Sequence, residues 1–405
     1  MKHSLFTILL LMFFPFLSFS QSDWGSRLKG IGMENIRVAE ADGVCYIAWD
    51  DPVFRGGYRG LAEVIREVVA EGDNGVSYCL MVQENSVPRI VVDLESGLLD
   101  DCRDGKLDLG ALVMAMDISC DTDEAVRALK GSETVNRGAG KMDFVIYPQL
   151  GFRNAWLDKI YGVYISVAPA VEMQLWRGAY FTGQVIFPIW NNQVGEMDYI
   201  RAGMLTVRQD FWLPKRFFAS VAVGNFNQNR FGADVQVNWR TVDDRWLLGV
   251  RGGYTGASVV RDGKWMVSRW ERPTGAAWVR YYEPHYQLEM ELTAERYIYG
   301  DYGVRADCVR HFGEVTVGFF AMVSGGEVNG GFNFSVPLWK KQRKPRKFVS
   351  VRLPEYWGME LEAQTGNEYA ERRLGRRYNT RPAQNRNEGW YQPEFVRKGI
   401  WKEVR

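Results

Sequence analysis

The stretch from residue 286 to residue 339, YQLEMELTAERYIYGDYGVRADCVRHFGEVTVGFFAMVSGGEVNGGFNFSVPLW, decides the fold of this chain. At its start Leu288, Met290 and Leu292 alternate with polar side chains. Because successive side chains of a β-strand point to opposite faces, this period of two predicts strands with one apolar and one polar face. Glycine-containing turns separate the successive runs, so the stretch predicts consecutive antiparallel strands.

Two architectures use strands of this kind. A soluble sandwich buries the apolar face and leaves the polar face in water. An outer-membrane barrel turns the apolar face to lipid and the polar face to its lumen. The alternation alone suits either architecture, and the rest of the sequence has to discriminate between them.

The start of the chain is typical of an exported protein. Lys2 and His3 precede an apolar run over residues 5–16, and small residues lead up to Gln21. This pattern predicts a secretory signal peptide over residues 1–20. No cysteine follows the run closely, so we expect no lipid anchor. No later segment is apolar over the roughly 18 residues that a transmembrane helix requires.

Composition narrows the class of protein. A chain of 405 residues exceeds one ordinary domain, so two structural units are expected. The counts of 42 Gly, 15 Trp, 19 Tyr and 22 Phe suit strands, tight turns and interfacial aromatic belts. A formal net charge of +1 gives no reason to expect nucleic acid as a partner.

The five cysteines leave one without an intramolecular partner. Cys308 lies alone on an apolar strand face and is the expected spare. The other four either form two disulfides or remain buried free thiols, because their spacing fixes no pairing: Cys45, Cys79, Cys102 and Cys120.

Residues 21–140 are predicted to form a small α/β domain of ββαββ type, on the periplasmic side of the barrel. Asp42-Gly43 reads as the two-residue turn of a hairpin. Residues 57–71 carry apolar side chains at helical spacing, and two further strand-like runs follow.

The first unit contains few residues in the patterns typical of a catalytic or metal-binding site. Asp50-Asp51 and Asp100-Asp101 follow strands and could bind a cation or act in acid–base chemistry, although surface turn residues are the alternative. The unit lacks histidine, a phosphate loop and a nucleophile elbow. His285 and His311 lie at predicted strand edges, without metal-ligand spacing. We therefore expect no enzyme activity, no cofactor and no metal.

Residues 141–339 read as strands almost throughout, and most segments have the roughly 9–11 residues that cross a membrane as a tilted strand. Trp and Tyr cluster near the segment ends, as in interfacial girdles. We predict a transmembrane antiparallel β-barrel of about twelve strands, with fourteen as the next choice. One segment, and most readily the first at 142–152, is expected to be a connector or partial strand.

The polar face of these strands supplies the candidate contacts for glycan or a partner protein, because sugar hydroxyls need hydrogen-bonding groups beside aromatic faces. The candidates on this face and in the turn at residues 299–303 are Asp234, Gln236, Arg251, Glu289, Glu291, Glu295, Asp301, Arg305 and Asp307. An alternative for the turn is a hairpin with a salt bridge from Asp301 or Asp307 to an arginine. A glycan-cleaving carboxylate pair at Glu289 and Glu291 is a weaker alternative.

Residues 340–405 form a basic tail with seventeen Lys and Arg against eight Glu. The tail is predicted to be an extended or partly ordered periplasmic segment. It could bind anionic lipid, anionic glycan or an acidic partner, or could be a solvated flank of the barrel. Trp357, Trp390, Tyr391 and Trp401 indicate docking on another surface.

The residues of the barrel segment resemble the YjbH-type family of exopolysaccharide and capsule export proteins. The resemblance is carried by five segments, of which the first is TAERYIYGDYGVRADCVR at 293–310, and the others are Gly318-Phe-Phe-Ala321, residues 330–338, Ile189-Trp-Asn-Asn192, and Asn229-Arg-Phe-Gly-Ala233 with Trp246-Leu-Leu-Gly249. It covers about residues 140–340, and the α/β unit only loosely.

This resemblance implies a role in exopolysaccharide or capsule export or assembly, in the Gram-negative outer membrane. Outer-membrane lipid and polysaccharide would be partners, together with periplasmic export proteins, and nucleic acid would not. The first unit and the tail would lie in the periplasm. The alternative is a general porin, or a structural or adhesin barrel, without a polysaccharide role.

Overall fold

The computed structural model of the chain describes residues 21–154, 161–192, 198–261, 264–363, 369, 371–382, 386–387 and 390–405. The predicted signal peptide at 1–20 lies outside the described residues. The described chain is mainly β, with one five-stranded and one fifteen-stranded sheet.

The smaller sheet and its helices are built from the first part of the chain. Its strands are β1 Glu34–Ala41, β2 Val44–Asp50, β3 Ser77–Glu84, β4 Val87–Leu94 and β5 Asp117–Ser119. The accompanying helices are α1 Gln21–Ile31, α2 Arg59–Glu71, α3 Ser96–Arg103, α4 Leu109–Ala115 and α5 Asp123–Ala128. The strands lie in the order β1-β2-β3-β4-β5. Only β2 and β3 pair in parallel, because α2 connects them.

Local sequence explains the two elements predicted here. Asp42 and Gly43 have φ angles of 52° and 77°, the left-handed pair that a two-residue hairpin turn requires. In α2 the buried side chains Leu61, Ile65 and Val68 recur at helical spacing and pack into one core cluster of the sheet. Each such side chain contributes about 1.5–3 kcal/mol through its burial.

The cysteines of this unit are free thiols, as is Cys308, so the two-disulfide alternative is wrong. Cys45 and Cys79 are buried in core clusters on the two faces of the sheet. Burial raises the pKa of the Cys45 thiol to about 12, which keeps it protonated. Cys308, the expected spare, is exposed.

The larger sheet follows the chain almost in order. Its strands are β6 Met142–Asn154, β7 Tyr161–Trp176, β8 Ala179–Asn191, β9 Arg201–Leu213, β10 Phe217–Phe226, β11 Arg230–Arg240, β12 Trp246–Arg261, β13 Lys264–Val267, β14 Arg272–Glu283, β15 Leu288–Arg296, β16 Tyr302–Phe312, β17 Val315–Ser324, β18 Glu327–Pro337, β19 Val349–Arg352 and β20 Tyr356–Glu362. From β6 to β18 twelve strands pair successively, with β13 beside the path on β12. These neighbours are antiparallel, whereas β19 pairs in parallel with β6.

One prediction about these strands is wrong. The first segment is the complete strand β6, and the partial strand is β13, which has four residues. Strand β6 pairs with β7 from Met142 to Asn154, and its ladder with β19 covers residues 142–145.

Residues 340–405 are more ordered than predicted. They contribute β19 and β20, which stand at the two ends of the sheet order, and a helix α6 at Pro393–Val404. The Cα atoms of β20 and β6 approach within 8 Å, so the two ends of the sheet come close together. In α6 the apolar side chains Phe395, Val396 and Ile400 are buried in the same core cluster as α2. The tail therefore belongs to both sheets.

The two faces of the larger sheet are reversed relative to a soluble protein. On β16, Arg305, Asp307 and His311 are almost fully buried. On the opposite face of the same hairpin, Val304 is 49% exposed and Phe319 on β17 is 67% exposed. A sandwich in water would bury the apolar set, so this arrangement excludes the sandwich alternative and is typical of a sheet that faces lipid.

Within the described ranges, no helix is long and apolar enough to cross a membrane.

The smaller sheet lies at the end of the larger sheet that carries the turns between β7 and β8 and between β16 and β17. Gly178, in the turn between β7 and β8, donates its N–H to the carbonyl of Asn85 at 2.8 Å. Glu314, in the turn between β16 and β17, accepts from Arg55 at 2.7 Å and from Arg59 at 2.6 Å. Burial opposes ionisation of Glu314, but hydrogen bonds from the two arginines lower its pKa to about 2. We call this end of the larger sheet the domain end, and the opposite end the far end.

The exposed apolar face predicts a position-dependent cost of charge. Leu292 lies at the middle of β15, is 50% exposed, and pairs with Ala306. Leu292→Arg should destabilise the protein in lipid vesicles by about 2–4 kcal/mol, measured by reversible denaturant titration, because the charge would lie in hydrocarbon.

The matched control for this variant is Phe312→Arg, at the exposed domain end of β16. There the cost should be about 0–1 kcal/mol, since an interfacial arginine reaches water. Equal destabilisation by the two variants would contradict the assigned lipid-facing surface.

Candidate functional site

The interior of the larger sheet is the candidate site, and the tail runs through it. At the far end, the N–H of Gly375 donates to Asp301 at 2.8 Å. At the domain end, Trp390 stacks on His311 with ring centroids 4.9 Å apart. The described residues between 369 and 392 thus return from the far end to the domain end along the polar face. We call the described residues of this range, 369, 371–382, 386–387 and 390–392, the inner tail.

Three acidic candidates meet one arginine of the inner tail. Arg386 donates to Glu289 at 2.8 Å and to Glu291 at 3.1 Å, and lies 3.4 Å from Asp307. Arg280 from β14 contacts both glutamates as well. The two carboxylates are therefore shared between two guanidinium groups, an arrangement that holds both ionised. It does not suit a glycosidase, whose acid must be protonated.

The candidate Arg305 belongs to a second group of charges. It forms bidentate contacts with Asp307 at 2.8 Å and with Glu360 of β20 at 2.7–2.8 Å. Its guanidinium also lies 3.8 Å from the centroid of the Phe320 ring. Planar, bidentate pairing of this kind joins β16 to β20 with defined geometry.

Two further candidates bind a tyrosine of the inner tail. Asp234 accepts from Tyr378 Oη at 2.7 Å and from Arg251 Nε at 2.8 Å. Arg251 also donates to the carbonyl of Tyr378 at 3.2 Å. The Tyr378 ring stacks on Phe226 with centroids 5.2 Å apart. The tyrosine is thus fixed by hydrogen bonds on one side and by aromatic contact on the other.

The remaining candidates contact either the inner tail or other residues of the larger sheet. Glu295 lies 2.7 Å from Arg377. Asp301 accepts from Ser324 Oγ at 2.5 Å in addition to the tail N–H. Among the described residues, Gln236 makes only a long hydrogen bond, 3.5 Å, to Asn238. The predicted bridge of the turn exists as Arg305–Asp307, whereas Asp301 binds no arginine among the described residues.

The structure therefore does not gather the candidates into one open site. Most of them contact the chain's own tail. The sequence analysis did not identify the inner tail, Arg280 of β14 or His311 of β16 as parts of this interior. One signal was available: the whole chain carries +1 and residues 340–405 carry +9, so residues 1–339 carry −8. Opposite charges of this size on two parts of one chain favour their association.

A chamber of about 1000 Å³ lies at the domain end, between the smaller sheet, the wall formed by β6–β9 and the tail. Its lining includes Asp50, Asp51, Gln83 and Glu84 from the smaller sheet, Asp143, Tyr147, Glu172 and Tyr180 from the wall, and Arg343, Arg346, Arg352, Trp390 and Tyr391 from the tail. The chamber is thus lined by three separate parts of the chain.

Most carboxylates of the wall in this chamber are paired. Asp143 lies 3.2 Å from Arg346 and 3.1 Å from Arg352. Glu172 accepts from Tyr180 Oη at 2.9 Å and from Arg352 at 3.3 Å, and it also bonds Tyr147. Tail cations thus neutralise wall carboxylates here, as they do in the interior.

Asp50 and Asp51 are held by neutral donors instead. Asp50 accepts from Asn35 at 2.7 Å and from the N–H of Ser86, and Asp51 accepts from two backbone N–H groups that follow it. Burial raises the pKa of Asp50 to about 6 and that of Asp51 to about 7, against these hydrogen bonds. A Cβ at Gly60 would lie 1.9 Å from Asp51 Oδ2, so glycine is required at that point of α2.

In the part of the chain that the structure describes, no group of three or more His, Cys, Asp or Glu side chains is placed to hold a metal ion.

No protein family matches the sequence, and no curated protein matches it. Solved structures similar to the chain include a triple mutant of the Rhodopseudomonas blastica porin, with 8% identity over 48% of this chain and 88% of the porin, and a TM-score of 0.26. Another is OmpT, an outer membrane protein of Vibrio cholerae, with its loop L8 deleted. It has 8% identity over 48% of this chain and 86% of that chain, and a TM-score of 0.24. Likenesses this slight carry no inference about this chain.

The Arg386 contacts predict that one substitution loosens the inner tail. Arg386→Gln leaves Glu289, Glu291 and Asp307 with less compensating charge, and removing one partner of a buried ion pair costs about 3–5 kcal/mol. The variant should show faster cleavage of the tail by trypsin in native detergent micelles. Lys402→Gln, on the exposed side of α6, should be cleaved like the unmodified protein. An unchanged cleavage rate for Arg386→Gln would show that this arginine does not hold the tail.

The raised pKa of Asp51 predicts a pH dependence of stability. A carboxyl whose pKa rises on folding binds its proton more tightly in the folded state, so the free energy of unfolding falls as pH rises from about 4 to about 7. Asp51→Asn keeps an acceptor for both N–H groups and removes the charge. Its melting temperature relative to the unmodified protein should therefore be higher at pH 8 than at pH 4.5. A constant difference across this range would contradict the assignment.

Proposed function

We propose that the chain is an outer-membrane β-barrel protein of exopolysaccharide or capsule export or assembly. One observation carries the membrane part of the proposal: the larger sheet exposes its apolar face and buries its polar face. Exposed tryptophans near strand ends, Trp176 and Trp246 at the domain end and Trp190 toward the far end, suit the two interfaces of a bilayer.

The orientation follows from the connections. In outer-membrane barrels short turns face the periplasm and longer loops face outward. The turns at the domain end are all short, whereas longer connections such as that from Asn191 to Arg201 lie at the far end. This difference supports a periplasmic position for residues 21–140 and α6. The far end, with the turn at Asp301, then faces the cell exterior.

The polysaccharide part of the proposal rests on the resemblance of residues 140–340 to the YjbH-type family. The chamber supports it, because tyrosine, tryptophan, carboxylate and guanidinium groups surround a space between the periplasmic unit and the interior. Aromatic faces beside hydrogen-bonding groups are what a sugar ring needs. Export partners in the periplasm would meet the same end of the molecule.

The alternative, a general porin, is disfavoured by the inner tail. A diffusion pore needs an open lumen, whereas Arg377, Tyr378 and Arg386 reach wall residues on β11, β15 and β16. The same contacts change the site proposed from the sequence. Most candidate residues of the polar face bind the tail. The proposed site of glycan contact is therefore the chamber.

The proposal is tested by deleting the gene in the source organism and restoring it on a plasmid. We expect the protein in the outer-membrane fraction after a carbonate wash, and a several-fold loss of surface polysaccharide in the deletion strain that the plasmid reverses. Recovery in the soluble periplasmic fraction would refute the barrel. Unchanged surface polysaccharide together with slower uptake of small solutes in the deletion strain would instead support the porin alternative.

A further inference from the structure

The inner tail contacts the larger sheet on several sides. Its partners lie on β9, β11, β15, β16 and β17, and the two ends of the sheet approach each other. The contacts are Arg381–Asp210 at 3.3 Å, Tyr378–Asp234 at 2.7 Å, Arg377–Glu295 at 2.7 Å, Arg386–Asp307 at 3.4 Å and Tyr369–Met322 at 3.5 Å. A segment held from so many directions occupies the space that the polar face surrounds.

Side chains make these contacts. Ile298 donates its N–H to the carbonyl of Arg376 at 3.1 Å, but no described residue of the inner tail is part of a strand. The two flanks are anchored differently, since β20 pairs with β18 along its whole length and α6 is buried in the core of the smaller sheet. Side-chain contacts exchange for water without exposing a backbone ladder to lipid. The inner tail is therefore the part of this path that can move while its flanks stay in place.

The chain between the two flanks is longer than the distance it covers. Strand β20 ends at Glu362 and α6 begins at Pro393, so residues 363–392 connect the far end to the domain end. A connection of this length extends to about 100 Å at most. By comparison, β14 has 12 residues and is about 40 Å long. The connection thus has the length to lie along one side of the sheet with both flanks in place.

The polar face around the tail suits water. Thr182, Gln184, Thr206 and Ser220 are buried polar side chains on β8, β9 and β10. Barrels of about eight strands are filled by their own side chains, whereas those of about sixteen leave an aqueous channel. The twelve successive strands of this sheet lie between these limits. The inner tail therefore fills space that the side chains of the sheet leave, and water would replace it if the tail moved.

We propose that the inner tail is a gate. The structure shows the closed form, and an ion-conducting path between the domain end and the far end opens when the side-chain contacts of the tail with the sheet break. The proposal rests on the membrane part of the proposed function and is independent of the polysaccharide role. Because β20 and α6 stay in place, the opening is reversible.

The test measures the ion conductance of the purified full chain in planar lipid bilayers. Unmodified protein should conduct little, because the tail fills the interior. Arg377→Gln/Arg386→Gln removes the cations that bind Glu295 and Glu289. We expect the mean conductance of this variant to be about tenfold higher, since the loss of these contacts shifts the population toward the open form.

The matched control is Arg27→Gln/Arg127→Gln, which removes two arginines from helices α1 and α5 of the smaller sheet. Arg27 pairs with Glu71 at 3.0 Å, away from the polar face of the larger sheet. This variant should conduct like the unmodified protein. Insertion of every variant is verified by its heat-modifiable migration in gels.

A cross-link tests whether the tail itself is the gate. In a Cys308→Ser background, Asp234→Cys and Tyr378→Cys place thiols at two positions whose side chains are hydrogen-bonded at 2.7 Å. The double variant should conduct before treatment, and a short bismaleimide that joins the two thiols should restore the closed form. Each single-cysteine variant should keep its conductance under the same treatment.

Two results would overturn the gate. One is an inserted Arg377→Gln/Arg386→Gln protein that conducts no more than the unmodified protein, whether both conduct or neither does. The other is conductance of the double-cysteine variant that persists after cross-linking, because it would assign the current to another path. Protein that does not insert into bilayers and is recovered in the soluble periplasmic fraction would instead refute the membrane part of the proposed function.

Discussion

The interior of the larger sheet depends on the pairing of buried carboxylates with arginines from the tail. Glu289, Glu291 and Asp307 lie on neighbouring strands and repel one another at short range. The outer face of these strands is apolar, so the charges cannot turn outward. Arg280 and Arg305 supply part of the compensation, and Arg386 brings the rest from far along the chain. The inner tail is therefore a structural component of the sheet's interior.

The same logic holds at the domain end. Arg346 bridges Glu34 of the smaller sheet and Asp143 of β6, and Arg352 continues to Glu172. A basic segment thus connects two acidic parts of the molecule, while Arg55 and Arg59 bind Glu314 from the other side. Replacing Arg346 by a neutral residue would affect both sheets, because its guanidinium contacts Glu34 of the smaller sheet and Asp143 of the larger sheet.

Local sequence predicted what depends on local geometry. The alternation on β15 and β16 gave the two faces correctly, and the turn at Asp42-Gly43 and helix α2 follow from backbone preference and helical spacing. The path of the tail along the polar face could not be predicted from local periodicity. Its arginines recur without period, and their partners are separated by as many as 312 residues, as for Arg346 and Glu34. The completeness of β6 could not be predicted either, because it depends on pairing with β7 and β19, which is a tertiary property.

For the candidate site as well, the sequence predicted which side chains face inward but not which groups they bind. Alternation identified the side chains that point inward, and their types were right for hydrogen bonding. It did not reveal that Asp234 and Glu295 bind Tyr378 and Arg377 of the same chain. The chamber was out of reach, because it joins β3, β6 and the tail.

The packing of α6 against α2 makes the core of the first unit depend on the end of the chain. Residues 21–140 precede the strands of the larger sheet in the sequence, yet their core stays incomplete until Phe395, Val396 and Ile400 pack into it. A molecule in which the strands between these two parts are not in place leaves an apolar groove beside α2 open. A probe of that groove therefore reports on the placement of the whole larger sheet.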